Sequence, residues 1–260
     1  MIRLLEVERP VELTDAEVKK LTAEFKADNK KAVWKKPYIK TALLEMSADK
    51  CCYCECKLGE ESKYLEVEHF HPKKLYPDEV VAWENLLPAC KRCNGKKHSH
   101  DTKQEPIIHP VRDNPQLHLF LKDYRLYDKT KLGDNTITKI VLNDRQCLVN
   151  PRFKIGEELI GKLHELLQQT EEFEILEVAD KTEKSLIVIG RMLNRVVHNL
   201  INLMREGTRT YEYSATTATI LLNEDSYQQI KQWFIKRKLW NEEFMQLEKD
   251  VEFCALSTTK

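Results

Sequence analysis

Two short cysteine pairs, Cys51-Cys52-Tyr53-Cys54 and Cys90-Lys91-Arg92-Cys93, stand 35 residues apart and set the strongest constraint on how this chain can fold. A two-residue gap lets both sulfurs of a pair reach one ion, so four thiolates can enclose Zn2+ as a tetrahedron. A shell closed by Cys51, Cys54, Cys90 and Cys93 has no open position for a substrate, and the predicted ion is therefore structural. Such a site can supply on the order of 10 kcal/mol of folding free energy, more than the core of so short a segment can give. Six of the eight cysteines fall between Cys51 and Cys93, and in a reducing compartment this clustering argues for metal binding over disulfides. Cys52 and Cys56 lie beside the first pair as expected bystanders, although they leave its register open. Cys147 and Cys254 read as small core residues.

Composition narrows the class further. Lys plus Arg number 42 and Asp plus Glu number 42, so any polyanion binding must come from a local patch and not from a global field. Only 7 of 260 residues are glycine and 32% are charged, a balance that favours helices over turn-rich β architecture. No apolar run approaches the roughly 18 residues needed to cross a bilayer, and residues 1–12 alternate charge with Leu and Val. The expected protein is cytoplasmic, without a membrane partner.

Thr14-Asp-Ala-Glu17 fits a capping box, and Val18, Leu21 and Phe25 then recur at helical spacing, which predicts a helix over 14–27. A second is predicted over 37–46, opening at Pro37. Residues 49–103 carry paired cysteines, Pro72, Pro77 and Pro88 and little helical period before Cys90, the pattern of a loop-and-hairpin unit, and 118–127 reads as an extended segment closing it. Helical periodicity then returns near 136–143, 152–169, 180–205, 215–223, 226–238 and 240–253. The predicted fold is α+β, mostly α: an N-terminal helical lead-in (1–48), a zinc-clamped unit (49–128) and a helical C-terminal region (129–260).

Between and beside the cysteine pairs lie Tyr64-Leu-Glu-Val-Glu-His69-Phe-His71-Pro-Lys73, Trp83-Glu-Asn85-Leu-Leu-Pro-Ala-Cys90 and Cys93-Asn94-Gly-Lys-Lys97-His98. His69, with an ordinary pKa near 6.5, suits proton removal from water at neutral pH. Glu68 and Asn94 offer oxygen to a hard divalent ion such as Mg2+. His98, four residues after Asn94, is predicted on the same helical face as a further ligand. Lys91, Arg92, Lys96 and Lys97, with no acid in 86–100, form a basic patch suited to phosphate.

These blocks together resemble the HNH endonucleases, also called ββα-metal nucleases, over about 55 residues. The resemblance implies two strands and a helix, with Glu68 in place of the commoner Asp as metal ligand, His69 as base, Asn85 as its orienter, Asn94 as the second metal ligand and Lys97 facing the scissile phosphate. A zinc-ribbon adaptor without catalysis is the alternative, and a base, orienter and hard-metal ligand together argue against it. A redox pair lacks the βαβ context it needs.

The length, the Val-Glu-His-Phe-His-Pro-Lys and Trp-Glu-Asn-Leu-Leu-Pro-Ala-Cys blocks and the long helical half are similar to the nucleases of bacterial Septu defence systems. That resemblance implies a PtuA-like ABC-type ATPase as partner, in some systems beside a retron, with DNA the expected substrate and tRNA or other RNA the alternative in retron-linked relatives. No Walker A pattern occurs in this chain. The expected docking element is the helical half. Its candidate surface is Tyr227 to Phe244, where Trp233, Phe234 and Trp240 alternate with Lys231, Lys236, Arg237 and Lys238; burial of these aromatics among neighbouring helices is the competing expectation.

Overall fold

Thr14 starts the first helix through its hydroxyl, which accepts the Glu17 N–H, and α1 then runs Asp15–Ala27 with Leu21 and Phe25 buried. Pro37 opens α2, Pro37–Ser47, whose inner face is Ile39, Leu43 and Met46. The computed structural model describes residues 1–59, 64–179 and 182–260. It separates into two compact units, Met1–Leu148 with Ser257–Lys260, and Val149–Leu256.

In the first unit, β1 (Leu65–His69) pairs antiparallel with β2 (Leu86–Cys90) in a register running from Leu65 opposite Cys90 to His69 opposite Leu86. The last residue of β2 caps α3, Lys91–Lys97: the Cys90 sulfur accepts the Cys93 N–H. This strand, strand, helix succession holds both halves of the predicted site within one small unit. A second pair, β3 (Leu119–Lys122) and β4 (Arg125–Asp128), replaces the single extended segment expected at 118–127. The bend falls at Asp123 and Tyr124, both with positive φ (48° and 60°). Two left-handed residues are what a tight two-residue hairpin requires, but Asp-Tyr lacks the glycine that would have signalled it.

The helix expected at 136–143 is α4, Lys131–Ile140, shifted toward the N-terminus because Thr130 caps it by accepting the Gly133 N–H and Val141 ends it in the left-handed region. It packs against β4 and α3. Gly133 is required there, since a Cβ would lie 2.2 Å from the His118 carbonyl oxygen.

The second unit is helical throughout its named elements: α5 (Asn150–Ala179), α6 (Glu183–Glu206), α7 (Ser214–Asn223), α8 (Asp225–Lys236) and α9 (Glu242–Cys254). Helix α5 packs on α6, α7 and α8, and α9 on α6 and α7. It extends ten residues past the 152–169 expected from periodicity. Strong helix formers such as Glu171, Glu172, Glu174 and Glu177 continue it without Gly or Pro, although after Phe173 no described side chain of α5 is buried to mark the period.

Most aromatics of 227–244 belong to this unit's core, and Trp240 is half-buried beside them. Tyr227, Trp233, Phe234 and Phe244 are buried. Phe234 meets Trp233 and Phe244 edge-on, and Trp240 stacks on Phe244. Arg237 lies over Phe173 and Trp233 and pairs with Glu174 and Glu177, so its charge is also spent inside the unit. Exposed apolar residues include Ile235 in α8, but they cluster in Ile175, Leu176 and Val178 late in α5 and in Leu186, Ile187 and Val188 early in α6. No helix among the described residues is long and apolar enough to cross a membrane.

Candidate active site

The sulfurs of Cys51, Cys54, Cys90 and Cys93 all lie within 4.8 Å of one another, and all four residues are buried. The Cys54 and Cys90 sulfurs are 3.8 Å apart. That is the edge of a tetrahedron with bonds of about 2.3 Å, the length of a zinc–thiolate bond. Four soft donors so arranged fit a structural metal ion. The turn at 51–56 brings the first pair together through the Cys51 N–H, which donates to the Cys56 carbonyl, while the Cys52 N–H donates to Pro88 and ties the turn to β2. Cys56 also lies against the thiols of Cys51, Cys54 and Cys90 but outside the four-sulfur set.

Beside this clamp, β1 and α3 form the walls of an open cavity of about 450 Å3, lined among others by Glu66, Glu68, His69, Lys73, Asn94 and His98. His69 is buried at the end of β1, with Trp34 meeting its ring at 4.8 Å. Its Nε2 is 2.9 Å from the Val80 carbonyl oxygen. A carbonyl can only accept, so Nε2 carries the proton and Nδ1 is left with the free lone pair. Burial, reinforced by the Lys73 charge, lowers the His69 pKa to about 3 and keeps the ring neutral.

Glu68 is buried on the same strand. Lys97 Nζ lies 2.6 Å from its Oε1, and the Tyr53 hydroxyl donates to the same oxygen at 3.4 Å, leaving Oε2 for the cavity. Burial pushes the Glu68 carboxyl up to about 7 against the pull of Lys97. Lys97 also donates to the His69 carbonyl at 2.9 Å. It is therefore not the phosphate-facing lysine expected from the motif: it points inward, and both Glu68 and the backbone of His69 hang on it. Lys97→Met would leave the carboxylate buried and unpaired, a change that typically costs about 3–5 kcal/mol. A corresponding drop in the denaturation midpoint of the first unit is expected by urea titration.

Asn85 does not line the cavity. Its Oδ1 accepts the His71 N–H at 2.6 Å, and its Nδ2 donates to the carbonyls of His71 and Glu79. The amide closes the loop between β1 and β2, and the residue after Glu79 is Val80, whose carbonyl holds His69. Asn85 thus acts on the histidine only through that loop. His98 lines the cavity together with Asn94: its N–H donates to the Asn94 carbonyl at 2.8 Å, closing the last turn of α3, which His98 caps with φ 49°. Its Nδ1 lies 2.9 Å from the Ser99 hydroxyl.

The basic patch also changes membership. Arg92 turns to the carbonyls of Ile140 and Val141 and to Asp144, and Lys97 is buried, whereas Lys73, Lys74 and Lys91 line the cavity. Lys73 sits over the Trp34 ring at 4.6 Å. Sequence reasoning missed Glu66, which shares a strand face with Glu68 and whose Oε2 accepts from Asn94 Nδ2 at 2.6 Å. The two-residue alternation was the available signal. No local pattern pointed to Trp34.

Residues 51–100 match the HNH endonuclease family. Over 252 residues, 97% of this chain and 94% of the relative, the sequence is 44% identical to Septu protein PtuB of Bacillus thuringiensis. The chain belongs to the PtuB family of Septu proteins. Septu protein PtuB of Bacillus mycoides (strain KBAB4) is 27% identical over 200 residues, which are 59% of this chain and 66% of that one. No solved structure matches the chain. In this PtuB-family chain the HNH match covers the cysteine clamp, both strands and α3, so the cavity and the family motif coincide.

Proposed function

We propose that this chain is a metal-dependent HNH endonuclease that hydrolyses phosphodiester bonds of nucleic acid, with DNA the expected substrate, as the cytoplasmic effector of a Septu-type defence system. The observation that carries the reading is the neutral His69, its Nε2 proton committed to Val80 and its Nδ1 free, on a cavity shared with the oxygens of Glu66, Glu68 and Asn94.

Hard oxygen donors of this kind fit Mg2+ or a similar divalent ion, with Glu68, Asn94 and, at the rim, His98 as the residues that would hold it. Such an ion, when bound, supplies charge neutralisation at the phosphate. His69 removes a proton from the attacking water at Nδ1, and the Val80 carbonyl keeps the ring in that tautomer. Lys73, Lys74 and Lys91 hold backbone phosphates at the mouth of the cavity, a contact without base readout. The four cysteines hold Zn2+ as a structural ion. Incubating the full chain with DNA and, separately, with RNA in Mg2+ and in EDTA tests the reading: cleavage in Mg2+ alone is expected, and DNA against RNA decides the substrate.

The partner in this reading is a PtuA-like ABC-type ATPase, docked by the helical second unit. The exposed apolar residues of α5 and α6 are the surface this unit offers for it. Changing Leu186 and Ile187 together to Asp is expected to reduce co-purification with a co-expressed PtuA-like ATPase by tenfold or more, with helix content unchanged by circular dichroism. Undiminished co-purification would move the docking surface elsewhere.

A further inference from the structure

Resting on the divalent-ion reading of the cavity, we propose that Glu66 is a positioning residue of that site, which sets the side-chain amide of Asn94 so that Oδ1 is the atom offered to the ion. Asn94 Nδ2 lies 2.6 Å from Glu66 Oε2, and both residues line the cavity with Glu68. A carboxylate has no proton to give, so the amide must turn its NH2 group toward Glu66. Oδ1 then points away from Glu66. No hydrogen bond engages it among the described residues, and it remains available as a hard donor.

The amide needs this restraint. Its two ends are nearly equal in size, and rotation by half a turn would bring NH2 to the cation, exchanging an attraction for a repulsion. Asn94 is the fourth residue of the short helix α3, with no other side-chain partner described there to select one end. Glu66 supplies the selection from the facing strand. Two residues farther along β1, Glu68 contributes from the same face, so one strand carries both a candidate ligand and the residue that orients the ligand opposite. Partners of this outer kind typically change metal affinity by about 10- to 100-fold.

Mn2+ binding to the full-length, zinc-loaded protein, followed by the paramagnetic signal of the free ion, separates the alternatives. Glu66→Leu removes the acceptor. Glu66→Gln keeps one, since its Oε1 can still take the Asn94 N–H, while discarding the charge. The expected result is Mn2+ affinity at least tenfold weaker in Glu66→Leu and within about threefold of wild type in Glu66→Gln, with zinc content equal in all three proteins. In cleavage, Glu66→Leu should need correspondingly more Mg2+ to reach half of its own maximal rate. Wild-type affinity in Glu66→Leu overturns the proposal, and so does equal weakening in both variants, which would make Glu66 a direct ligand. A wild-type protein that binds no Mn2+ fails the divalent-ion reading itself, an outcome distinct from either.

Discussion

Cys90→Ser is expected to remove the bound metal and, with it, the folded state of the first unit. The four sulfurs are buried at mutual distances suited to one tetrahedral ion, and Cys90 is one of the four, the end of β2 and the cap of α3 at once. A structural zinc site contributes on the order of 10 kcal/mol, comparable with the whole stability of an ordinary domain. Serine keeps the shape and can still cap the helix, but its hydroxyl is a far poorer zinc ligand than a thiolate. The effect must therefore come from the lost ligand and not from lost packing. Elemental analysis and soluble yield read it together: about one zinc per chain in the wild type, and neither zinc nor soluble protein in Cys90→Ser. Cys56→Ser is the control, since that thiol touches the cluster but is not one of the four, and it should retain the ion. Soluble Cys90→Ser protein of unchanged stability and no zinc in the wild type would both count against a structural metal.

His69→Ala is expected to abolish cleavage while leaving zinc content and the unfolding midpoint nearly intact. General-base assistance by a positioned side chain is worth about 10²- to 10⁴-fold, and no other described histidine nitrogen with a free lone pair occupies the buried end of this cavity. The cost to folding should be modest. The ring loses one hydrogen bond to Val80, worth about 1 kcal/mol, and its edge contact with Trp34. The Lys97–Glu68 pair and the Lys97 bond to the residue-69 carbonyl do not depend on the side chain removed. A fall in rate accompanied by loss of zinc or a collapsed midpoint would instead mark His69 as structural.

Features that depend on short-range spacing were legible in the sequence. The two cysteine pairs announced the clamp, and the Thr14 capping box announced α1. Features that depend on where a side chain turns after folding were not. Lys97 and Arg92 sit in a basic run that reads as one patch, yet one is drawn inward by Glu68 and the other toward α4. His98 shares a spacing with Asn94 that puts both on the cavity, but its positive φ as the cap of α3 was not legible. Asn85 looks like a site residue from its motif and is occupied by three backbone groups. Glu66 was hidden for the opposite reason, because its partner Asn94 is 28 residues away and only the strand-to-helix packing joins them. The aromatic run of 227–244 illustrates the same ambiguity: interleaved charge suggests a surface, while helical spacing suggests a core, and here the core prevails.

The most direct measurement is the rate at which the full-length chain, alone and with a PtuA-like ATPase, cuts a labelled DNA duplex in Mg2+, in EDTA and after His69→Ala. Cleavage that requires Mg2+ and falls by at least 100-fold in His69→Ala, with zinc unchanged, is the expected result. Cleavage at the same rate by both proteins, or in EDTA, would contradict a catalytic centre built on His69 and a divalent ion.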